Sequence, residues 1–292
     1  MVPEDDSLSG SRRVITLLTD FGLSDAYVGV MKGVILSRAP SASIVDLTHE
    51  VAPQAITQGA FLLETALRQA QDAAWRFFPA GSVHLAVVDP GVGTPRRRLA
   101  LSAGGHYFVG PDNGVLSAAL PASTRGSRRP GESYESRTVS LTAEVIAVAI
   151  ENEALLLRPV SATFEARDAF APAAAHLAAG GALADLGPRV HEAQALPAFR
   201  APELGEGLEG RVIHVDRFGN LITDILVGDL PSQPAFSVAG RRLRLAETYA
   251  AASGLAAIVG SSGFVEVALT MGSAAAVLGL GPGDRVKVTG NR

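Results

Sequence analysis

Two short apolar runs constrain this chain more than any other feature. Val14–Leu18 leads into Thr19-Asp20-Phe21-Gly22, and Val83–Val88 leads into Asp89-Pro90-Gly91-Val92-Gly93. Each run reads as a buried strand that delivers a carboxylate at its C-terminal end and then turns on glycine. In open α/β sheets, ligands bind where parallel strands end. Two acids at two such ends predict a site suited to a cationic or polyhydroxylated ligand. Arg96 lies seven residues beyond Asp89, and the glycine loop between them can fold it back toward that acid.

The flanking sequence supports this layout. Ser43–Leu47, Leu99–Ser102, Tyr107–Val109 and Val145–Ile150 read as further strands. Asp25–Ser37 and Gln54–Gln71 carry apolar residues at helical spacing, and Ala169–Ala179 reads as a short helix. The alternation predicts an α/β domain over residues 12–196, with a mainly parallel sheet flanked by helices. Pro111-Asp112-Asn113-Gly114 is a turn signal. Residues 121–137 are rich in Ser, Arg, Gly and Pro and read as an exposed loop without chemistry. Residues 197–209 read as a linker, and from 210 to 292 the pattern is β only. The runs Arg211–Val215, Leu221–Leu226, Ala256–Val259, Phe264–Leu269 and Arg285–Val288 predict a small antiparallel, barrel-like domain.

Composition excludes several function classes. The chain of 292 residues has no cysteine, so disulfides, thiolate catalysis and cysteine-ligated metals are out. A net charge of −4 argues against a nucleic-acid protein. No apolar run approaches the ~20 residues of a membrane span, and the polar N-terminus lacks a signal-peptide core. Six histidines are scattered without zinc-site spacing. The expectation is a cytoplasmic protein with no metal, nucleic-acid or membrane partner.

Each candidate residue has a structural alternative. Asp20 can accept both hydroxyls of a ribose; it and Asp25 flank a glycine turn and can equally be an Asx-turn or helix cap. Asp89 and Arg96 can form a charge-assisted pair or a plain salt bridge. Arg97 and Arg98 read as a solvated face. In Thr163-Phe164-Glu165-Ala166-Arg167-Asp168, Thr163 reads as a helix N-cap, Asp168 as an acid favouring the positive end of that helix, and Glu165 is a candidate base. Asp216-Arg217-Phe218-Gly219-Asn220 fits a hairpin turn. An aromatic at its tip also suits stacking on a base, with Asn220 reading the base edge. Gly260-Ser261-Ser262-Gly263 can bind a carboxylate or phosphate through backbone N–H groups, or can be a simple turn.

Taken together and in order, these segments resemble the S-adenosylmethionine (SAM) hydroxide adenosyltransferases, the SAM hydrolases related to fluorinases and chlorinases. The matching stretches are Thr19–Gly22, Val88–Gly93, Gly110–Gly114, Thr163–Pro172, Asp216–Asn220 and Gly260–Glu266. The resemblance implies a homotrimer that binds SAM between the N-terminal domain of one subunit and the C-terminal domain of the next. SAM would be the substrate, with no separate cofactor. Asp20 would hold the ribose diol, and Asp25 and Ser261 would lie near the methionine portion. Asp216 would face the amino-acid end, with Phe218 and Asn220 at adenine. Asp89 and Arg96 match two members of a water-handling Asp/Arg/His triad. The third departs: the family reads Thr-Phe-His-Gly-Arg-Asp, and here Glu165 replaces the histidine. Glu165 would then act as the base, or pair with Arg96 and sequester it. The implied reaction is hydrolysis of SAM to adenosine and L-methionine by water attack at C5′. The alternatives are a halogenase forming 5′-halo-5′-deoxyadenosine, which Asp89 disfavours, and a weakly active or non-catalytic SAM- or adenosine-binding protein.

Overall fold

A computed structural model describes residues 13–67, 77–205 and 207–290. Two compact units divide these residues. The first takes 13–59, 77–120 and 138–195, and the second takes 60–67, 121–137 and 196 onward. The expected helix Gln54–Gln71 is observed over Ile56–Leu67, and its last positions lie outside the described residues.

The first unit is built on a seven-stranded sheet of order β2-β1-β3-β5-β4-β7-β8. Its strands are β1 (Val14–Thr19), β2 (Ser43–Thr48), β3 (Val83–Val87), β4 (Arg98–Ala103), β5 (His106–Pro111), β7 (Val145–Ala149) and β8 (Arg189–Val190). Between β5 and β7 in sequence, β6 (Arg137–Ser140) pairs instead with β9 (Glu192–Ala195). Strands β2, β1, β3 and β5 are mutually parallel. Strand β4 runs against both β5 and β7, so β7 shares the common direction, and β8 opposes β7. The α/β reading with a mainly parallel sheet therefore holds.

Helix α1 (Tyr27–Arg38) carries the chain from β1 to the edge strand β2. The connection through α2 (Ile56–Leu67) then returns it to β3, on the other side of β1. The strand order reverses between β1 and β3, and such a reversal opens a crevice at the carboxyl ends of the two strands. Asp20 and Asp89 follow these two strands. Apolar residues alternate to both faces. Ile15, Leu17, Leu85 and Val87 pack with Met31 and Ile35 of α1 and with α4 (Ala171–Ala178).

Three local readings of this unit are corrected. The α4 region begins with a π-helical turn, Ala166–Phe170, and Thr163 does not cap it. Asp168 lies in the first turn of that segment, as expected, and it also accepts the Ser161 N–H at 2.8 Å and pairs with Arg167. The solvated-face reading of Arg97 and Arg98 also fails. Arg97 pairs with Asp112 at 2.8 Å, and Arg98 Nε lies 3.9 Å from Glu165. Asp25 does not cap α1, whose N-cap is Ala26.

The second unit is a closed barrel of seven strands in the order β11-β12-β16-β15-β14-β13-β17, with β17 pairing back to β11. Its strands are β11 (Gly207–Val215), β12 (Leu221–Leu226), β13 (Ala235–Val238), β14 (Arg241–Ala246), β15 (Leu255–Val259), β16 (Phe264–Leu269) and β17 (Arg285–Thr289). The short β10 (Glu203–Leu204) extends from β11. All pairings but β14–β15 are antiparallel. Val212, Leu221, Ile225, Phe236, Val265, Val267 and Val286 fill the interior.

Residues 121–137 are largely exposed and irregular, as expected, but two of their arginines are not solvated. Arg125, which ends the helical turn α3 (Ala122–Arg125), and Arg128 are both buried. Arg125 pairs with Glu64 at 3.0 Å, and Arg128 pairs with Asp224 of β12 at 2.9 Å. Asp224 also accepts from Tyr134 Oη at 2.8 Å and from the Arg211 N–H at 2.7 Å. These hydrogen bonds to Asp224 offset part of the cost of burying the pair.

Candidate active site

Strand β1 ends at Thr19, whose hydroxyl meets His49 Nδ1 at 2.8 Å and accepts the Phe21 N–H at 3.3 Å. The Gly22 N–H reaches the His49 carbonyl at 2.8 Å, so the turn after β1 is tied to the turn after β2. Asp20 Oδ2 accepts the backbone N–H of Gln54 at 2.8 Å. Its partner is distant in sequence, which is neither a local Asx-turn nor a cap, and a carboxylate has acceptor capacity beyond one N–H. Asp25 is exposed in the turn before α1.

Strand β3 ends one residue before Val88, and Asp89 follows with a side chain only 5 % exposed. Arg96 folds back onto it. Nε donates to Asp89 Oδ1 at 2.9 Å, and Nη2 donates to Oδ2. The same Nη2 contacts Glu165 Oε2, so one guanidinium bridges two carboxylates. The fork geometry of Arg permits this; a Lys would act only as a point charge. Arg96 CZ lies 5.5 Å from the centroid of the Phe170 ring. Burial would lower the Arg96 pKa, but the facing carboxylates outweigh it and hold the group above its ordinary value. Arg96 Nη1 is buried and has no hydrogen-bond partner among the described residues.

Two contacts dock the Glu165 segment onto these turns. Phe164 packs edge-on to Phe21, with centroids 6.0 Å apart, and to Tyr27, at 5.1 Å. Gly93, at φ +78°, lies against the carbonyl of Ala162, where a side chain would collide. Asn113 supports the end of β3 by donating to the Val88 carbonyl at 2.9 Å. The structure therefore gathers Asp20, Asp89, Arg96 and Glu165 on converging turns of one unit. Arg98 and the Phe21/Tyr27/Phe164 cluster join them, and neither was singled out from the sequence.

In the second unit, Asp216 organises its own turn. Oδ1 accepts the N–H groups of Phe218 and Asn220 at 2.9 and 2.8 Å, and Oδ2 accepts the Asn220 side-chain amide at 2.9 Å. Asn220 is buried, whereas Phe218 stands 77 % exposed at the tip. Ser261 is exposed in the β15–β16 turn, which closes through Gly263 N–H to the Gly260 carbonyl at 2.9 Å. Glu266 of β16 sits buried against Gly260 and accepts from Tyr249 Oη at 2.6 Å. Burial, with Asp216 nearby, pushes the Glu266 carboxyl up, against the Tyr249 hydrogen bond. Neither Glu266 nor Tyr249 was assigned a role from sequence. A Glu within an apolar strand run was the available signal.

No group of three or more His, Cys, Asp or Glu residues among those described could hold a metal ion. No helix among them is long and apolar enough to cross a membrane.

An α/β unit with an acid–guanidinium cluster at its strand-reversal crevice, together with a closed β-barrel unit, defines a two-domain class of small-molecule enzyme scaffold. The chain belongs to the SAM hydroxide adenosyltransferase family. Residues 15–187 match its N-terminal domain and residues 210–287 its C-terminal domain. It is 40 % identical over 283 residues to the (R)-S-adenosyl-L-methionine hydrolase of Salinispora arenicola (strain CNS-205), covering 94 % of this chain and 97 % of the relative. The fluorinase of Nocardia brasiliensis (strain ATCC 700358 / HUJEG-1) is 28 % identical over 251 residues, covering 76 % of this chain and 74 % of the fluorinase. Among solved structures, an uncharacterized conserved protein from Thermotoga maritima superposes with a TM-score of 0.78 at 32 % identity, covering 94 % of this chain and all of the other.

Proposed function

We propose that the protein hydrolyses S-adenosyl-L-methionine to adenosine and L-methionine. The observation that carries this reading is the buried Asp89–Arg96–Glu165 cluster at the reversal crevice of a chain in this family. Water attacks C5′, the C5′–O bond forms as the C5′–S bond breaks, and the sulfonium departs as a neutral thioether. No acid is needed for the leaving group. The site must align a water molecule and accept its proton. The spare Nη1–H of Arg96 is the donor we assign to the water oxygen. Asp89, fixed on both oxygens by Arg96, and Glu165 are the carboxylates that take the proton and release it to solvent.

Asp20 is assigned to the ribose diol, and Asp25 and Ser261 to the methionine portion. Asp216 is assigned to the amino-acid end, and Phe218 and Asn220 to adenine. The high exposure of Phe218 supports a surface completed by ligand or by a neighbouring subunit, in keeping with a homotrimer whose sites are shared between subunits. The close homology to hydrolases and the more distant homology to fluorinases favour water over halide. A second reading, binding without turnover, draws on the Arg96–Glu165 contact itself, because Glu165 occupies part of the guanidinium.

Chromatography of purified protein with SAM separates these readings. Adenosine formation that Asp89→Asn reduces by about 10²-fold or more is expected of a residue acting on the nucleophile. Tight SAM binding without adenosine would establish the second reading.

A further inference from the structure

Two carboxylates and one guanidinium leave the Asp89–Arg96–Glu165 cluster with an excess negative charge. These side chains are 5, 10 and 12 % exposed. An uncompensated charge is costly at that depth. Arg98 is the group that balances it: its Nε lies 3.9 Å from Glu165 Oε1, and its side chain is three-quarters buried. Both Glu165 oxygens therefore face a cation, Oε2 on Arg96 and Oε1 on Arg98. The remaining charged neighbours on the Glu165 segment, Arg167 and Asp168, are spent on each other.

The position of Arg98 is set by the sheet. It opens β4, opposite Pro111 of β5, and its carbonyl accepts the Ile150 N–H at 2.8 Å. Strand alternation places Arg98 on the face of Ala100, which packs in the core cluster with Ala166 and Phe170. Arg97 turns to the opposite face and to Asp112. Adjacent arginines thus serve separate acids.

We propose that Arg98 is a positioning residue for this site. It takes up one oxygen of Glu165, so that Arg96 remains free to hold Asp89 through both of its oxygens. Without Arg98, Glu165 turns both oxygens onto Arg96, draws it away from Asp89 and occupies the Nη1–H assigned to water. The effect on catalysis rests on the hydrolase reading above; the Arg98–Glu165 coupling does not.

The test uses Arg98→Ala, Arg98→Lys, Glu165→Gln and the Arg98→Ala/Glu165→Gln double variant. SAM hydrolysis by Arg98→Ala is expected to lose about tenfold in kcat, with KM within about twofold. Arg98→Lys, which keeps the charge, is expected to recover most of the loss. Urea unfolding, which adds no salt to screen the pair, then reads it without reference to activity. Arg98→Ala should lower the midpoint when Glu165 is present and leave it nearly unchanged in the Glu165→Gln background. Unchanged kcat in Arg98→Ala, equal impairment in Arg98→Lys, or an equal midpoint loss in both backgrounds would overturn the proposal. If the unaltered protein forms no adenosine, the hydrolase reading fails, while the unfolding cycle still decides whether Arg98 and Glu165 are coupled.

Discussion

Gly93→Ala is the sharpest probe of how the two turns of the candidate site are held together. Gly93 occupies a left-handed conformation, which costs an alanine about 1–2 kcal/mol. The added methyl would also drive into the Ala162 carbonyl, and restoring van der Waals contact requires the turns to separate by about 1 Å. Arg96 follows Gly93 on one turn and Glu165 follows Ala162 on the other. The separation therefore acts on the Arg96–Glu165 contact. Misplacement of this size can cost about 10²-fold in rate. Gly105→Ala is the control. Gly105 has a similar φ of +80°, but the nearest atom to an added methyl is Ala80 Cβ at 4.0 Å. Both variants should lose stability in urea, Gly93→Ala the more because of the Ala162 clash, whereas only Gly93→Ala should lose about 10²-fold in kcat for adenosine formation. If the two variants hydrolyse SAM at similar rates, docking of these turns is not what organises the site.

Further outcomes follow from buried groups. His84 Nε2 lies 3.1 Å from His106 Nδ1, and His84 Nδ1 is 2.8 Å from the Thr16 hydroxyl. Burial, with a contribution from His106, pushes His84 down to about 3, and burial also lowers His106. An unfolded His titrates near 6.5, so the folded state binds fewer protons below that value. The stability is full above about pH 6.5 and is lost as pH falls toward 3. Urea unfolding should show a loss of about 3 kcal/mol between pH 6.5 and 4 from His84 alone, and His84→Gln should flatten that slope. Asp224→Ala leaves the fully buried Arg128 without its counter-charge and should cost about 3–5 kcal/mol in the same assay. Asp224→Ala with Arg128→Met should recover part of it; equal losses would mean that the pair is not the stabilising unit.

Much of the site region was legible because the strand-end acids announce themselves. Val14–Leu18 and Val83–Val88 are apolar because they are buried on both faces, and each stops where a carboxylate and a glycine turn begin. What failed were polar residues buried by distant partners. Arg125 and Arg128 look solvated in an Arg/Ser/Gly/Pro stretch, but Glu64 and Asp224 lie 61 and 96 residues away. Arg98 was obscured by Arg97 next to it, although strand alternation sends them to opposite faces. Strand β14 was missed because Arg241, Arg242 and Arg244 surround Leu243, the one buried residue among Arg241–Leu245. A barrel wall needs few inward residues per strand, so its apolar pattern is weak.

The proposed reaction directs water at C5′ of SAM. Incubation with SAM in ¹⁸O-water, followed by mass spectrometry of the adenosine formed, tests it most directly. One ¹⁸O atom, located in the 5′-hydroxyl, is expected, with loss of the signal in Asp89→Asn. Adenosine without the label, no adenosine above the uncatalysed background, or chloride-dependent 5′-chloro-5′-deoxyadenosine would contradict it.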